Sequence, residues 1–388
     1  MNNSINKIGI VAMPRISVGG GFPRATRDLI AALDEMGKEV VLLTPFHVNM
    51  DKIAELYGPI KLKKIIYPHK LATFFSRDDM LGRKLIKREF KRLANEVDFI
   101  IDLDGCVLHN SLPGDFDRNR YVIWRLSCIN PETYKLQKVK DPKVLLKMLT
   151  KRTIKKMITR KKDIPRGVRI YPVDEWTERE IIKFWKIQPE KMCLYPEIKV
   201  EEFNPNKKKK DQAVILGRIA SNKEINKSIE IFHEGTRNFP DYKLVVIGGT
   251  TPDSKNYLVE LRSLIKKLKI EKKVIIRLDP SFEEIKRVLG ESKVIIDSQI
   301  GTSMNMPVIE AMASGCIPIM RKYSGTYMEI LANGRYGFGF DTVEEGARAL
   351  ERVLTKKKLD NKDSIKRAQF FSSAKFKERL KKILKTAK

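Results

Sequence analysis

The strongest constraint on how this chain can fold is a regular alternation of short, almost wholly apolar runs with longer helical patterns, sustained from one end to the other. KIGIVA (7–12), EVVLLT (39–44), DFIIDLDG (98–105), RYVIWRLSC (120–128) and RIYPV (169–173) form one series. The run beginning at Ala213, KLVVIGG (243–249), KVIIRLD (273–279) and the stretch 294–330 form another. Runs apolar on both faces need cover on both faces, and a helix between successive strands supplies it while returning the chain parallel. The pattern predicts an α/β protein with mainly parallel, doubly wound sheets.

Two series imply two domains, and 388 residues suffice for two cores of ordinary size. Composition changes where Pro189, Pro196 and Pro205 fall close together ahead of a run of lysines, placing the boundary between about Pro196 and Lys210. The expected division is a first domain over 1–200, a second over 201–365, and a basic helix over 366–388 packing back towards the first. An apolar fraction of 42% is that of a soluble globular protein, and no run approaches the roughly twenty apolar residues of a membrane span. The N-terminus enters a strand pattern without signal-peptide architecture, so the expected location is the cytoplasm or the cytoplasmic face of a membrane. Cys106, Cys128, Cys193 and Cys316 lie apart in apolar segments, as reduced core residues do, and suggest neither a disulfide framework nor a metal site.

A formal charge of +29, from 77 basic and 48 acidic residues, attracts anions of any kind. Abundant Lys, Ile and Glu with scarce Gln follow the compositional drift of a thermophile protein. The basic residues are most polarised over 135–162. From Pro142 onward Leu146, Leu149, Ile154, Met157 and Ile158 recur at helical spacing among lysines and arginines. Such a basic amphipathic helix over 142–162 suits an anionic membrane interface, and equally a helix packed on its own sheet with a solvated basic face.

Ligands of doubly wound sheets gather at the carboxyl ends of strands. After the first strand come Gly19, Gly20 and Gly21, ahead of a helix over about 24–36: a loop open to a substrate or anion, or simply a flexible turn. Asp102, Asp104 and His109 follow a later strand, and His109 is a candidate base or a structural loop residue. In the second series, Arg218 and Lys223 sit five apart between a strand and a helix, a spacing suited to clamping a diphosphate or to two solvated cations. The stretch 294–330 reads as strand, loop, helix, strand, loop, helix. Its first helix is opened by Pro307 and closed by Gly315, and Glu310 is the only charge between Asp297 and Arg321. Ser324, Gly325 and Thr326 place a glycine and two hydroxyls at the next helix N-terminus.

Taken in order, GGG in the first loop, LYPEIKVEEFNP before the second series, GRxxxxK at Gly217, Arg218 and Lys223, VIGG at 246–249, MPVIEAMASGCIPI at 306–319, and Ser324-Gly325 resemble the retaining glycosyltransferases of family 4. The layout is similar to the mannosyltransferases that extend dolichol-linked oligosaccharide. The resemblance implies a GT-B fold: two Rossmann-like doubly wound domains facing across a cleft, the second binding a nucleoside diphosphate sugar. It implies that Arg218 and Lys223 hold the donor diphosphate, that Glu310 binds the ribose hydroxyls, and that residues 324–326 offer amides to phosphate. Gly20, Gly21, Gly217, Gly249, Asn305, Met306 and Pro307 would line the donor, with backbone near Arg277 and Leu278 meeting the base.

Two departures accompany the matches. The family pairs glutamates eight residues apart, and the position eight before Glu310 is Thr302, followed by Ser303, Met304 and Asn305 in place of Gly-Phe-Gly. Residues 127–130 lack the expected histidine. Thr302 and Asn305 can donate hydrogen bonds to sugar hydroxyls but supply no carboxylate. The implied reaction moves a hexose, mannose- or glucose-like, to an acceptor hydroxyl with retention of configuration. Arg218 and Lys223 stabilise the departing diphosphate in place of a metal, so no metal or other cofactor is expected beyond the sugar nucleotide. A lipid-linked saccharide fits as acceptor and an anionic membrane surface as partner. Nucleic acid is disfavoured by the lack of a stacking platform. The alternatives are a DNA- or protein-directed glycosyltransferase, or a catalytically silent sugar-nucleotide-binding protein.

Overall fold

The computed structural model describes residues 5–12, 16–67, 80–103, 115–126, 167–205, 208–251, 254–356 and 361–386. His109 and the amphipathic segment 142–162 lie outside the described residues. The chain divides into two compact units. The first comprises Met1–Val173, Thr177–Pro196 and Lys377–Lys388, and the second Asp174–Trp176 and Glu197–Phe376.

The first unit holds a six-stranded sheet, β1 (Lys7–Ala12), β2 (Glu39–Leu43), β3 (Lys64–Ile66), β4 (Phe99–Leu103), β5 (Tyr121–Arg125) and β6 (Arg169–Pro172), in the order β3-β2-β1-β4-β5-β6. Every described pairing is parallel. Helix α1 (Gly21–Glu35) links β1 to β2, α2 (Met50–Tyr57) links β2 to β3, and α3 (Met80–Glu96) precedes β4. The apolar runs form strands here because both faces are buried. Phe90 and Leu93 of α3 pack on Val11, Ile100 and Ile123, and the Phe90 ring meets Tyr121 edge-on at 6.2 Å. Helix α1 begins three residues before the periodic pattern does, with Gly20 at its cap. Pro23 can sit in that first turn because the N–H it lacks would have had no helical partner.

The second unit repeats the plan. Strands β7 (Gln212–Leu216), β8 (Lys243–Gly248), β9 (Val274–Leu278), β10 (Val294–Asp297), β11 (Ile317–Arg321) and β12 (Phe338–Phe340) run in the order β12-β11-β10-β7-β8-β9. Counted within each unit, both sheets have the sequence 3-2-1-4-5-6, and the winding reverses between the first and fourth strands. Ile229 and Phe232 of the helix after β7, Leu261 and Ile265 of the helix after β8, and Leu350 pack on Leu244, Val246, Val294 and Ile319 to form the core.

Candidate active site

In the second unit the winding reverses between β7 and β10, and this crevice at the carboxyl edge of the sheet is where ligands of such folds collect. The loop leaving β7 is pressed against the next strand: Gly217 donates its N–H to Ile247 O at 3.1 Å, and Ile219 to Gly249 O at 3.0 Å. The approach demands glycine at 248, where a Cβ would fall 1.7 Å from the Gly217 carbonyl oxygen. A short 3-10 turn over Ser221–Lys223 leads through Glu224, at φ 51°, into α5 (Ile225–Gly235). Arg218 is left exposed on this loop. Lys223 turns inward to a pocket that it lines with Gly217, Ser228 and Asp297.

From the other side comes the loop after β10. Asp297, its last strand residue, accepts the Gln299 N–H at 2.7 Å with one carboxylate oxygen and the Asn305 side-chain amide with the other. Gln299 in turn accepts from the Lys223 ammonium at 2.7 Å. The buried hydroxyls of Ser228 and Ser298 share a hydrogen bond of 2.8 Å below them. Burial strips water from the Lys223 ammonium and holds its pKa below the ordinary lysine value. The Asp297 charge opposes that shift and Arg218 adds to it.

The loop ends at α8 (Met306–Ala313), whose cap is Asn305 and whose second residue is Pro307. Asn305 is almost fully buried and makes no side-chain cap to the helix, since its amide is given to Asp297. Glu310 lies on this helix with only 3% of its surface exposed. The helix closes at Gly315, which adopts φ 77° with Cys316 N–H returning to Ala311 O at 2.8 Å.

The two glycine- and hydroxyl-rich loops are joined to each other. Gly301 N–H donates to Tyr323 O at 2.9 Å, Gly325 N–H to Thr302 O at 2.7 Å, and the Thr326 hydroxyl to Ser303 O at 3.1 Å. Ser324 donates its hydroxyl to Arg321 O and accepts the Tyr327 N–H, fixing the following π-helical turn over Thr326–Ile330. Thr302 thus has its carbonyl engaged in loop structure. Further along the sheet edge, Gly249 neighbours Asp279, which accepts the Thr250 N–H at 2.7 Å and its hydroxyl at 2.8 Å. The Arg277 guanidinium pairs with Glu284 at 2.6 Å, and Leu278 is exposed.

Of the sequence-derived candidates, the structure therefore gathers Gly217, Lys223 and Asn305 about Asp297, leaves Arg218 exposed on the loop after β7, and binds Thr302 to Gly325 and Ser303 to Thr326. Gly20 and Gly21 belong to the first unit. Asp297 and Gln299 were not anticipated as site residues. The available signal was a carboxylate at the carboxyl end of the strand beside the switch point.

Solved structures share this architecture along almost the whole chain. A glycosyltransferase from Rickettsia africae superposes with TM-score 0.68 at 15% identity, covering 99% of each chain. HepE of Anabaena, in complex with UDP and glucose, gives 0.67 at 12% identity over 98% of this chain and 100% of that one. Residues 197–369 match the family Glycosyl transferases group 1. Residues 197–369 are therefore similar to glycosyl transferases group 1, and the chain shares the GT-B fold of the solved structures. The matched stretch contains the whole of the β7–β10 crevice just described. The chain also resembles GDP-Man:Man(3)GlcNAc(2)-PP-Dol alpha-1,2-mannosyltransferase of Xenopus laevis, 25% identical over 195 residues, which are 46% of this chain and 40% of that protein. The Salmonella typhimurium O-antigen chain mannosyltransferase RfbU is 23% identical over 195 residues, covering 50% of this chain and 53% of its own length. The chain spans about half or less of the length of these curated relatives.

Proposed function

We propose that this protein transfers a hexose, mannose-like or glucose-like, from a nucleoside diphosphate sugar to an acceptor hydroxyl with retention of configuration. The observation that carries the reading is the placement of Arg218 and Lys223 on the loop after β7, Lys223 lining the pocket at the β7–β10 switch point, within the stretch that matches glycosyl transferases group 1. A departing diphosphate gains negative charge as the anomeric carbon–oxygen bond breaks. Cations already in place, one of them shielded from water, stabilise that charge without having to reorganise. Glu310 takes the ribose hydroxyls of the donor. The new bond forms from the acceptor oxygen to the anomeric carbon, and the acceptor's proton passes to the leaving phosphate, so the Thr302 side chain need supply no base.

The relatives' names support a mannosyl donor and, for those acting on dolichol-linked saccharide, a lipid-linked acceptor. Among the described residues no helix is long and apolar enough to cross a membrane. A peripheral position on an anionic, cytoplasmic membrane face is compatible with the +29 charge. With Arg218 and Lys223 in the role a metal fills elsewhere, turnover persists in the presence of a chelator.

The test is incubation of the purified chain with GDP-mannose, GDP-glucose and UDP-glucose, with and without lipid-linked saccharides in anionic vesicles. Released nucleoside diphosphate and the anomeric configuration of the product are the readouts. Transfer with retention from one donor supports the proposal, and Arg218→Ala lowers turnover by about 10²-fold or more. Absence of both transfer and donor hydrolysis across the panel overturns it.

A further inference from the structure

The Lys223 ammonium ends at a neutral carboxamide, and the backbone of that same residue is held by a carboxylate, Asp297. Gln299 offers its side-chain oxygen at 2.7 Å while its own N–H is bound at 2.7 Å to Asp297. Asp297's second oxygen takes the amide of Asn305, a side chain diverted from the helix cap that asparagine ordinarily makes. Hydrogen bonds at the side chain and at the backbone of Gln299 therefore link the ammonium to Asp297 and, through Asn305, to the cap of α8.

We propose that Gln299 and Asp297 are positioning residues, which hold the Lys223 ammonium at the donor pocket as an undischarged cation ready for a diphosphate. The inference rests on the reading of Lys223 as a donor-phosphate ligand. A lysine carries its charge on a flexible four-carbon stem and loses rotamer freedom whenever it is used as a fixed point charge. Gln299 supplies the orientation before the ligand arrives. A carboxylate in direct contact would fix the ammonium equally well, yet it would neutralise it and compete with the incoming diphosphate. No ion pair joins Lys223 to Asp297 among the described residues, so Asp297 lends its field from behind the carboxamide. The groups facing Lys223 are Asp297 from the end of β10, Gln299 from the following loop, Arg218 from its own loop, and Ile225 and Ser228 from α5.

The sign of the effect follows from the charges. A carboxylate placed at 299 makes the ammonium keep its proton to higher pH, and removal of the charge at 297 makes it lose its proton at lower pH. The experiment uses the full chain as wild type, Gln299→Glu, Gln299→Ala and Asp297→Asn, with GDP and UDP as probes titrated calorimetrically between pH 6 and pH 10. Wherever a sugar donor is turned over, kcat and KM are measured alongside.

The expected result is a basic limb of diphosphate binding that moves up by about one pH unit in Gln299→Glu and down in Asp297→Asn. Gln299→Ala lowers kcat by ~10-fold with donor KM changed by less, because an ammonium out of place fails mainly where charge develops. A structural role alone would shift affinity without moving the limb in opposite directions in the two charge variants. If wild type binds diphosphate and both variants share its pH profile, the positioning role is wrong while the donor site stands. If wild type binds neither probe at any pH, the donor-site reading fails and this inference with it.

Discussion

The two units have the same strand order and the same reversal of winding, yet the charges on the elements that follow their first strands are used in opposite ways. In the first unit, Arg27 and Asp28 of α1 pair at 3.0 Å, both buried, and Arg27 also reaches the carbonyls of Gly58 and Pro59. Those charges are consumed by folding, and they tie the helix after β1 to the connection leading into β3. In the second unit, Arg218 stays exposed and Lys223 faces a pocket held by a neutral amide. The backbone plan supplies the crevice in both cases. What each unit can do is decided by whether the cations after its first strand are paired inside the unit or left for a ligand.

Substitutions in each unit sharpen or break this contrast. The largest effect is expected at Gly248→Ala, whose new methyl group would meet the Gly217 carbonyl backbone at 1.7 Å. A backbone neighbour cannot step aside, so we expect a loss of about 3 kcal/mol or more, confined to the second unit. Hydrogen exchange assigns the loss to β7 and β8, and equal loosening of the first unit would contradict the independence of the two plans. Lys209→Ala comes next. Its ammonium bonds the carbonyls of Ser292 at 2.6 Å, Ser314 at 2.7 Å and Gly290 at 3.1 Å, closing the ends of two helices beneath the site. Leaving those acceptors unmet costs about 2–3 kcal/mol in denaturant unfolding.

Cys316 lies beside this lysine. Burial pushes its thiol up to about 11, and Lys209 pulls weakly the other way. An acid whose folded pKa is raised binds its proton more tightly in the folded state. Its contribution is therefore present below the unfolded value near 9 and lost as pH rises towards 11. Wild type should lose about 1–2 kcal/mol more than Cys316→Ser across that window, measured as the difference in unfolding free energy between the two proteins. The smallest effect is expected in the first unit. At Gly58→Ala the backbone has φ 85° and the added methyl would meet the Arg27 guanidinium at 2.9 Å, the movable end of a side chain. A cost of about 1 kcal/mol is expected, with GDP affinity changed by less than twofold. A large drop in GDP affinity would mean that the first unit's buried charges reach the donor after all.

The sheets were legible in the sequence because strands buried on both faces must be apolar throughout, and the helix Met306–Ala313 because Pro307 and Gly315 mark its ends. The cations at 218 and 223 were legible for the same reason: they stand directly after a strand. The partners of those cations were hidden. Gln299, Asp297 and Asn305 meet through a loop whose course no periodicity records, and the Asn305 amide, expected from sequence to donate to sugar hydroxyls, is given to Asp297. The hydroxyl-rich loops read as open phosphate cradles, whereas in the structure Gly325 gives its N–H to Thr302. Lys209 reads as one more lysine of a basic linker, and only folding reveals the carbonyls gathered around it.

The central claim is that a nucleoside diphosphate occupies the β7–β10 crevice of the second unit. Hydrogen exchange of the full chain with and without saturating GDP or UDP tests it directly. The account predicts slowed exchange over residues 217–225 and 297–308, lost in Arg218→Ala and Lys223→Ala. Protection confined to the Gly19–Gly21 loop of the first unit, or no protection with either nucleotide, would contradict it.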